Sequence, residues 1–267
     1  MRAPKHLTRF LAASVALVAA GALSIAPSSA APQHDKPTIV LVHGAFADGS
    51  SWNKVIGKLQ GRGYPVVATA NPLRSVAGDA AATKSVLDSI EGPVVLVGHS
   101  YGGEVITNAA LNDADVKALV YVAAFLPEQG ETALGLSNQV PGSTRGPTLK
   151  EVPLADGGTD LYVHQELFPK QFAADIPLSQ AKVLAAGQRP VTAAALTEPS
   201  GAPAWKTIPS WSLIPTQDKN IPLQAQRFMA QRAHATTVEV NGASHAVLLS
   251  QPDKVTDLII KAAEARR

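Results

Sequence analysis

Three side chains in this 267-residue chain have the types and order that nucleophilic catalysis requires: Ser100 in LVGHSYGG, Asp218 in IPTQDKNIP and His245 in NGASHAVLLSQP. A serine hydroxyl is a weak nucleophile. It needs a base beside it, an acid that holds the base in one tautomer, and N–H donors for the charge that develops on the attacked oxygen. The stretch around Ser100 has the G-x-S-x-G form of a sharp strand-to-helix turn, with Gly98, Gly102 and Gly103 at positions where side chains would collide with the helix or the next strand. A helix beginning near Tyr101 would present free amides and a favourable dipole to an oxyanion. A glycine-rich turn can also cradle phosphate, but neither G-K-[ST] nor G-x-G-x-x-G follows here.

A second motif, HGAFADGSSW from His43, ends the first apolar run. A His-Gly pair there lets the backbone turn so that the amide of Ala45 joins that of Tyr101 as the oxyanion hole. His43 and His99 themselves read as structural histidines. The base and its acid should follow the serine in the order Ser, Asp, His. Asp218 and His245 meet that order, each in a loop just after a strand-like run, with Glu128 as the reserve acid.

The elements that must position these groups are legible from hydrophobic patterning. Strand-like runs TIVLVH (38–43), PVVATA (65–70), PVVLVGH (93–99), VKALVYVAAF (116–125), PSWSLIPT (209–216) and ATTVEV (235–240) alternate with helical stretches. Continuous apolar strands separated by helices predict an α/β fold, a mostly parallel sheet of about six strands covered on both faces. Ligands then bind at the C-terminal strand edge, where the three residues lie. Residues 127–205 break the rhythm with prolines, glycines and short helical pieces, DLYVHQELF and LSQAKVLAAG. They read as an inserted helical cap within a domain spanning 31–267.

Residues 1–30 have a basic start, an apolar run and small residues at Ser28 and Ala30, the pattern of a secretory signal cleaved after Ala30. The expected product is secreted or periplasmic, with no stable membrane anchor. Removing Arg2, Lys5 and Arg9 with that segment leaves 20 basic against 21 acidic residues, so no charge excess favours nucleic acid. There is no cysteine, hence no disulfide, and the seven histidines show no H-E-x-x-H spacing. No cofactor or metal is expected.

Taken together, LVHGAFADGSSW, NPLRSVAGDAAAT, GHSYGG, LVYVAAFLPEQGE, IPTQDKNIP and GASHAVLLSQPDKV resemble α/β-hydrolases of the group containing plant methyl esterases of the salicylate-binding type and hydroxynitrile lyases. The resemblance runs from Thr38 to Ile260. It implies the nucleophile, acid, base and two oxyanion amides at Ser100, Asp218, His245, Ala45 and Tyr101, the residues that position alone selects. The lyase branch carries a hydroxyl-bearing residue and a lysine where this chain has Gly44 and Ala246, so the resemblance favours ester hydrolysis. Haloalkane dehalogenases, also similar, use an aspartate at the position of Ser100.

The expected activity is hydrolysis of small to medium carboxylic esters through an acyl-enzyme. Lactone opening, perhydrolase-type or C–C cleaving chemistry on the same triad, and a poorly catalytic ligand-binding module, are the rival readings. Phe46, Phe125, Leu126, His164, Phe168 and Trp205 are the candidate pocket residues, while Trp52 is expected in the core. A mostly apolar cap fits a small acyl or aromatic ester better than a charged one.

Overall fold

The apolar runs form one parallel sheet in a computed structural model that describes residues 36–265; the segment read as an export signal lies outside the described residues. In chain order the elements are β1 (Thr38–Val42), α1 (Asn53–Gly61), β2 (Val66–Thr69), α2 (Val76–Leu87), β3 (Val94–His99), α3 (Tyr101–Ala109) and β4 (Val116–Val122). The insertion follows with α4 (Ala133–Asn138), β5 (Leu149–Pro153), β6 (Thr159–Val163), α5 (Phe168–Gln171), α6 (Leu178–Gly187), β7 (Val191–Thr192) and α7 (Ala193–Thr197). The chain then returns to the sheet with β8 (Ser210–Pro215), α8 (Leu223–Arg232), β9 (Thr236–Val240), α9 (Val247–Ser250) and α10 (Pro252–Glu264). Among the described residues no helix is long and apolar enough to cross a membrane.

Six strands pair in the order β2-β1-β3-β4-β8-β9, and every pairing is parallel. All six residues of β3 are buried, as a strand covered on both faces requires, whereas the edge strands β2 and β9 each keep exposed positions. β1 and β4 flank β3, so the loops after β1 and β3 meet at one edge. Helix ends are set locally. The Ser75 hydroxyl accepts from the Gly78 amide to cap α2, and Pro252 occupies the first turn of α10, where its missing N–H costs nothing.

Two expectations need correction. The strand read to 125 leaves the sheet at Val122: Ala123 turns to φ +46°, and the chain bends until the Phe125 amide donates to the Ser100 carbonyl at 3.2 Å. The inserted cap is also not purely helical. The first part of DLYVHQELF is strand β6, paired antiparallel with β5 and β7. The reason is the turn before it. Leu154 and Gly158 close a loop with a 2.8 Å amide-to-carbonyl bond, Gly157 takes φ +88°, and the flanking residues zip into a hairpin. Helix begins only at Phe168. LSQAKVLAAG is α6 from end to end.

The insertion is fastened to the sheet domain by polar ties. Glu198 accepts from the Val76 and Ala77 amides at the start of α2, Arg74 pairs with Asp160 of β6 at 2.6 Å, and Asn108 of α3 donates to the Ser200 hydroxyl at 2.9 Å.

One buried group opposes the fold. Glu104, on α3, is wholly buried, and neither carboxyl oxygen has a hydrogen-bond partner among the described residues. Burial first, then the charge of Glu198, pushes its pKa well above the ordinary carboxylate value, with the nearby Ala133 amide opposing and Glu131 adding to the rise. The unfolded chain releases this proton at an ordinary pH while the folded chain retains it. Stability is therefore lost as pH rises from the unfolded pKa toward the folded one. Glu104→Gln should match wild type near pH 4 and melt progressively higher above it, by roughly 2–4 °C for each kcal/mol relieved in a domain this size. Melting curves across pH 4–9 check this; a constant difference between the two proteins contradicts it.

Candidate active site

Ser100 sits on the turn between β3 and α3 at φ +55° and ψ −124°, a conformation an L-residue avoids and one that costs about 1–3 kcal/mol. Its own backbone is held on both sides. The Ser100 amide donates to the Val122 carbonyl at 3.3 Å, and the Ser100 carbonyl accepts from Gly103 and Phe125 at 2.9 and 3.2 Å. Close packing explains the glycines: a Cβ on Gly98 would come 2.5 Å from the Gly102 carbonyl oxygen, and one on Gly102 would come 2.6 Å from that of Val42.

The strained turn puts the Ser100 hydroxyl 2.9 Å from His245 Nε2, while His245 Nδ1 lies 2.7 Å from Asp218 Oδ2. All three are enclosed, with exposures of 7% for Ser100, 1% for His245 and 7% for Asp218. Asp218 is saturated as an acceptor. Oδ1 takes the Asn220 and Ile221 amides at 2.7 and 3.0 Å, and Oδ2 takes Gln226 Nε2 at 3.0 Å besides the imidazole. A carboxylate so placed accepts Nδ1–H and leaves Nε2 to receive the serine proton. Glu128 is elsewhere, tied to Lys206 at 2.7 Å, and that ammonium holds its carboxyl below the usual range.

The loop after β1 closes against this turn. A Cβ on Gly44 would lie 2.6 Å from Ser100 Cβ and 3.2 Å from the Tyr101 amide nitrogen, so the chain leading to Ala45 passes directly beside the start of α3. The Phe46 amide is occupied by the Arg189 carbonyl at 3.0 Å. Tyr101 keeps its side chain away from the turn: its hydroxyl donates to Asp79 Oδ2 at 2.9 Å in the interior. Burial raises the pKa of both partners.

Neither of the other motif histidines can serve as the base. His43 Nδ1 donates to the Gly44 carbonyl and Nε2 accepts the Asn71 amide, which commits both nitrogens, and burial lowers its pKa. His99 donates Nε2–H to the carbonyl of His245 at 3.0 Å, and its ring centroid lies 4.8 Å from that of His245. Burial, then the neighbouring His245, keeps it neutral by lowering its pKa well below the ordinary value. It therefore acts as a backbone clamp on the loop carrying His245.

The sequence reading also missed Phe172. Its ring meets His245 edge-on at 4.8 Å and stacks on Phe168 at 4.8 Å, and its carbonyl accepts the Ala246 amide at 3.0 Å. The spacing of Phe168 and Phe172, one helical turn, was the available signal. Phe46, Phe168 and Phe172, with His99, Leu248 and Leu249, wall an aromatic cavity of about 140 Å³. Phe125 and Leu126, also expected in the pocket, are fully buried and do not line this cavity; the Leu126 amide donates to the Met229 sulfur at 3.3 Å. His164 and Trp205 lie outside it as well. His164 lines a separate open cleft between β5–β6 and α6, where the hairpin turns it outward beside Glu166. Trp205 donates Nε1–H to the Pro127 carbonyl at 2.9 Å and faces Arg232 and Lys206.

Comparison with known proteins agrees with this architecture. Residues 39–258 match the family described as the alpha/beta hydrolase family. A pyrethroid hydrolase of Sphingobium wenxiniae is 28% identical over 258 residues, covering 85% of this chain and 88% of that protein. An alpha-hydroxynitrile lyase of Arabidopsis thaliana is 25% identical over 245 residues, covering 83% and 95%. Among solved structures, polyneuridine aldehyde esterase superposes with a TM-score of 0.73 at 18% identity, over 85% of this chain and 98% of that one, a likeness of fold.

Proposed function

Because the chain belongs to the alpha/beta hydrolase family, we propose that it is an exported serine hydrolase cleaving carboxylic esters of small to medium size through an acyl-enzyme. The observation that carries this reading is the continuous relay from Ser100 Oγ through His245 to Asp218, at 2.9 and 2.7 Å. Ser100 attacks the ester carbonyl while His245 takes its proton. The amides of Ala45 and Tyr101 bind the resulting oxyanion, each worth on the order of 3 kcal/mol of barrier. Collapse expels the alcohol, protonated by His245, and water then hydrolyses the acyl-serine by the same relay. The pyrethroid hydrolase among its relatives supports ester cleavage. The close contact of Gly44 with Ser100 leaves no space for the hydroxyl-bearing side chain that the resemblance assigns to the lyase branch, and so weighs against lyase chemistry. The basic start and apolar run of residues 1–30 support export.

One intact-mass experiment tests both halves. Protein secreted by an expressing bacterium and treated with a fluorophosphonate should begin at Ala31 and carry a single adduct, located on Ser100 by peptide mapping. A chain retaining residues 1–30 removes the export reading. An unlabelled protein removes the hydrolase reading and favours a ligand-binding role.

A further inference from the structure

The loop after β9 that carries His245 is held from two sides. From the sheet domain, the Gln217 amide donates to the Ala243 carbonyl at 3.0 Å, and His99 donates to the His245 carbonyl. From the insertion, the segment between α5 and α6 takes the residues on either side of His245. The Ala246 amide donates to the Phe172 carbonyl at 3.0 Å, and the Ser244 hydroxyl donates to Asp175 Oδ1. Anchors from the two sides therefore alternate along the loop, residues 243 and 245 being held by the sheet domain and 244 and 246 by the insertion.

Asp175 makes this bond and no other. Among the described residues its side chain has no second hydrogen-bond partner and no ion pair, and its Oδ2 is buried without a donor. Ser244 is 2% exposed, and the one other acceptor near its hydroxyl, the Phe172 carbonyl at 3.3 Å, is already occupied by Ala246. A hydroxyl has one proton to give, and a carboxylate holds it more strongly than a carbonyl does. The net gain in stability is small, because desolvating the unpaired second oxygen offsets the charge-assisted bond. The geometric effect is larger. Ser244 and His245 share a planar peptide unit, so a shift of the serine carries the histidine with it. His245 Nε2 must stay at 2.9 Å from the Ser100 hydroxyl, and a misplacement of about 1 Å in such a contact costs roughly a hundredfold in rate.

We propose that Asp175 is a positioning residue for His245, acting through the Ser244 hydroxyl, so that the insertion as well as the sheet sets the base against Ser100; this rests on the serine-esterase reading.

The test is steady-state hydrolysis of p-nitrophenyl butyrate by wild type, Asp175→Ala, Asp175→Asn, Ser244→Ala and the variant carrying both alanines. The rate of fluorophosphonate labelling and the melting temperature are measured for each. Asp175→Ala and Ser244→Ala should each lose about 10- to 100-fold in kcat with KM within about twofold of wild type. Labelling should slow by the same factor, because it draws on the same base. The double variant should be no slower than the poorer single one, since both changes remove one bond. Asparagine keeps an oxygen that accepts from Ser244, so Asp175→Asn should recover most of kcat. Asp175→Ala should melt close to wild type, whereas Ser244→Ala leaves both carboxylate oxygens without a donor and should melt lower. The proposal is overturned by wild-type kcat in folded Asp175→Ala, by a loss confined to KM, or by losses that multiply in the double variant. It is equally overturned if Asp175→Asn is no better than Asp175→Ala, or if neither alanine variant folds. Wild type that neither cleaves the ester nor takes the label removes the esterase reading itself, an outcome distinct from these.

Discussion

Ser100→Ala should lower kcat for p-nitrophenyl ester hydrolysis by roughly a million-fold and abolish any acyl-enzyme burst, with the fold intact. The size follows from the geometry. The hydroxyl is the atom that His245 Nε2 faces at 2.9 Å, and without it no covalent route exists. The paired amides of Ala45 and Tyr101 would remain, leaving a residual acceleration over water of about a thousandfold by analogy with other triads. The melting temperature should change by only a few degrees. Alanine pays the same penalty at φ +55° as serine, and the backbone bonds of residue 100 to Val122, Gly103 and Phe125 do not involve the side chain. Circular dichroism and steady-state kinetics on the purified variant check the two halves. More than about 1% of wild-type turnover would assign the nucleophile to another group.

Asp218→Asn should cost about four orders of magnitude in kcat with little change in KM, by a route the acceptor shell makes specific. The Asn220 and Ile221 amides both point at Oδ1, so the new side chain must keep its oxygen there. Its NH₂ then falls at the Oδ2 position, facing His245 Nδ1 and Gln226 Nε2. Donation to Nδ1 forces the imidazole proton onto Nε2, and that nitrogen can no longer accept from Ser100. The opposed NH₂ groups of residues 218 and 226 add strain. A Gln226→Glu change in the same chain offers a negative acceptor to that NH₂ but does not restore the tautomer, so activity should stay low. Activity of Asp218→Asn within tenfold of wild type would overturn the assignment. Glu128 is an unsuitable substitute, since Lys206 holds it away from the imidazole.

The groups proposed to do chemistry were legible because they obey rules local to the chain. Ser100 lies between a β-branched run and a helix-compatible one, and Asp218 and His245 each follow a strand, so a parallel sheet brings all three to one edge. The same patterning identified the six sheet strands. It failed at Ala123–Phe125, where apolar composition continues but the backbone turns toward Ser100, and at Asp160–Val163, where a turn imposed a hairpin on residues that scan as helical.

What the sequence by itself determined is the fold class, the strand-end placement of Ser100, Asp218 and His245, and the glycines that let the turn close, since each depends on periodicity or on contact between consecutive elements. Only the tertiary structure decided what supports them. His99 clamps the His245 carbonyl from 146 positions away in the chain, Phe172 packs on the imidazole from within an irregular insertion, and Asp79 takes the Tyr101 hydroxyl across two helices.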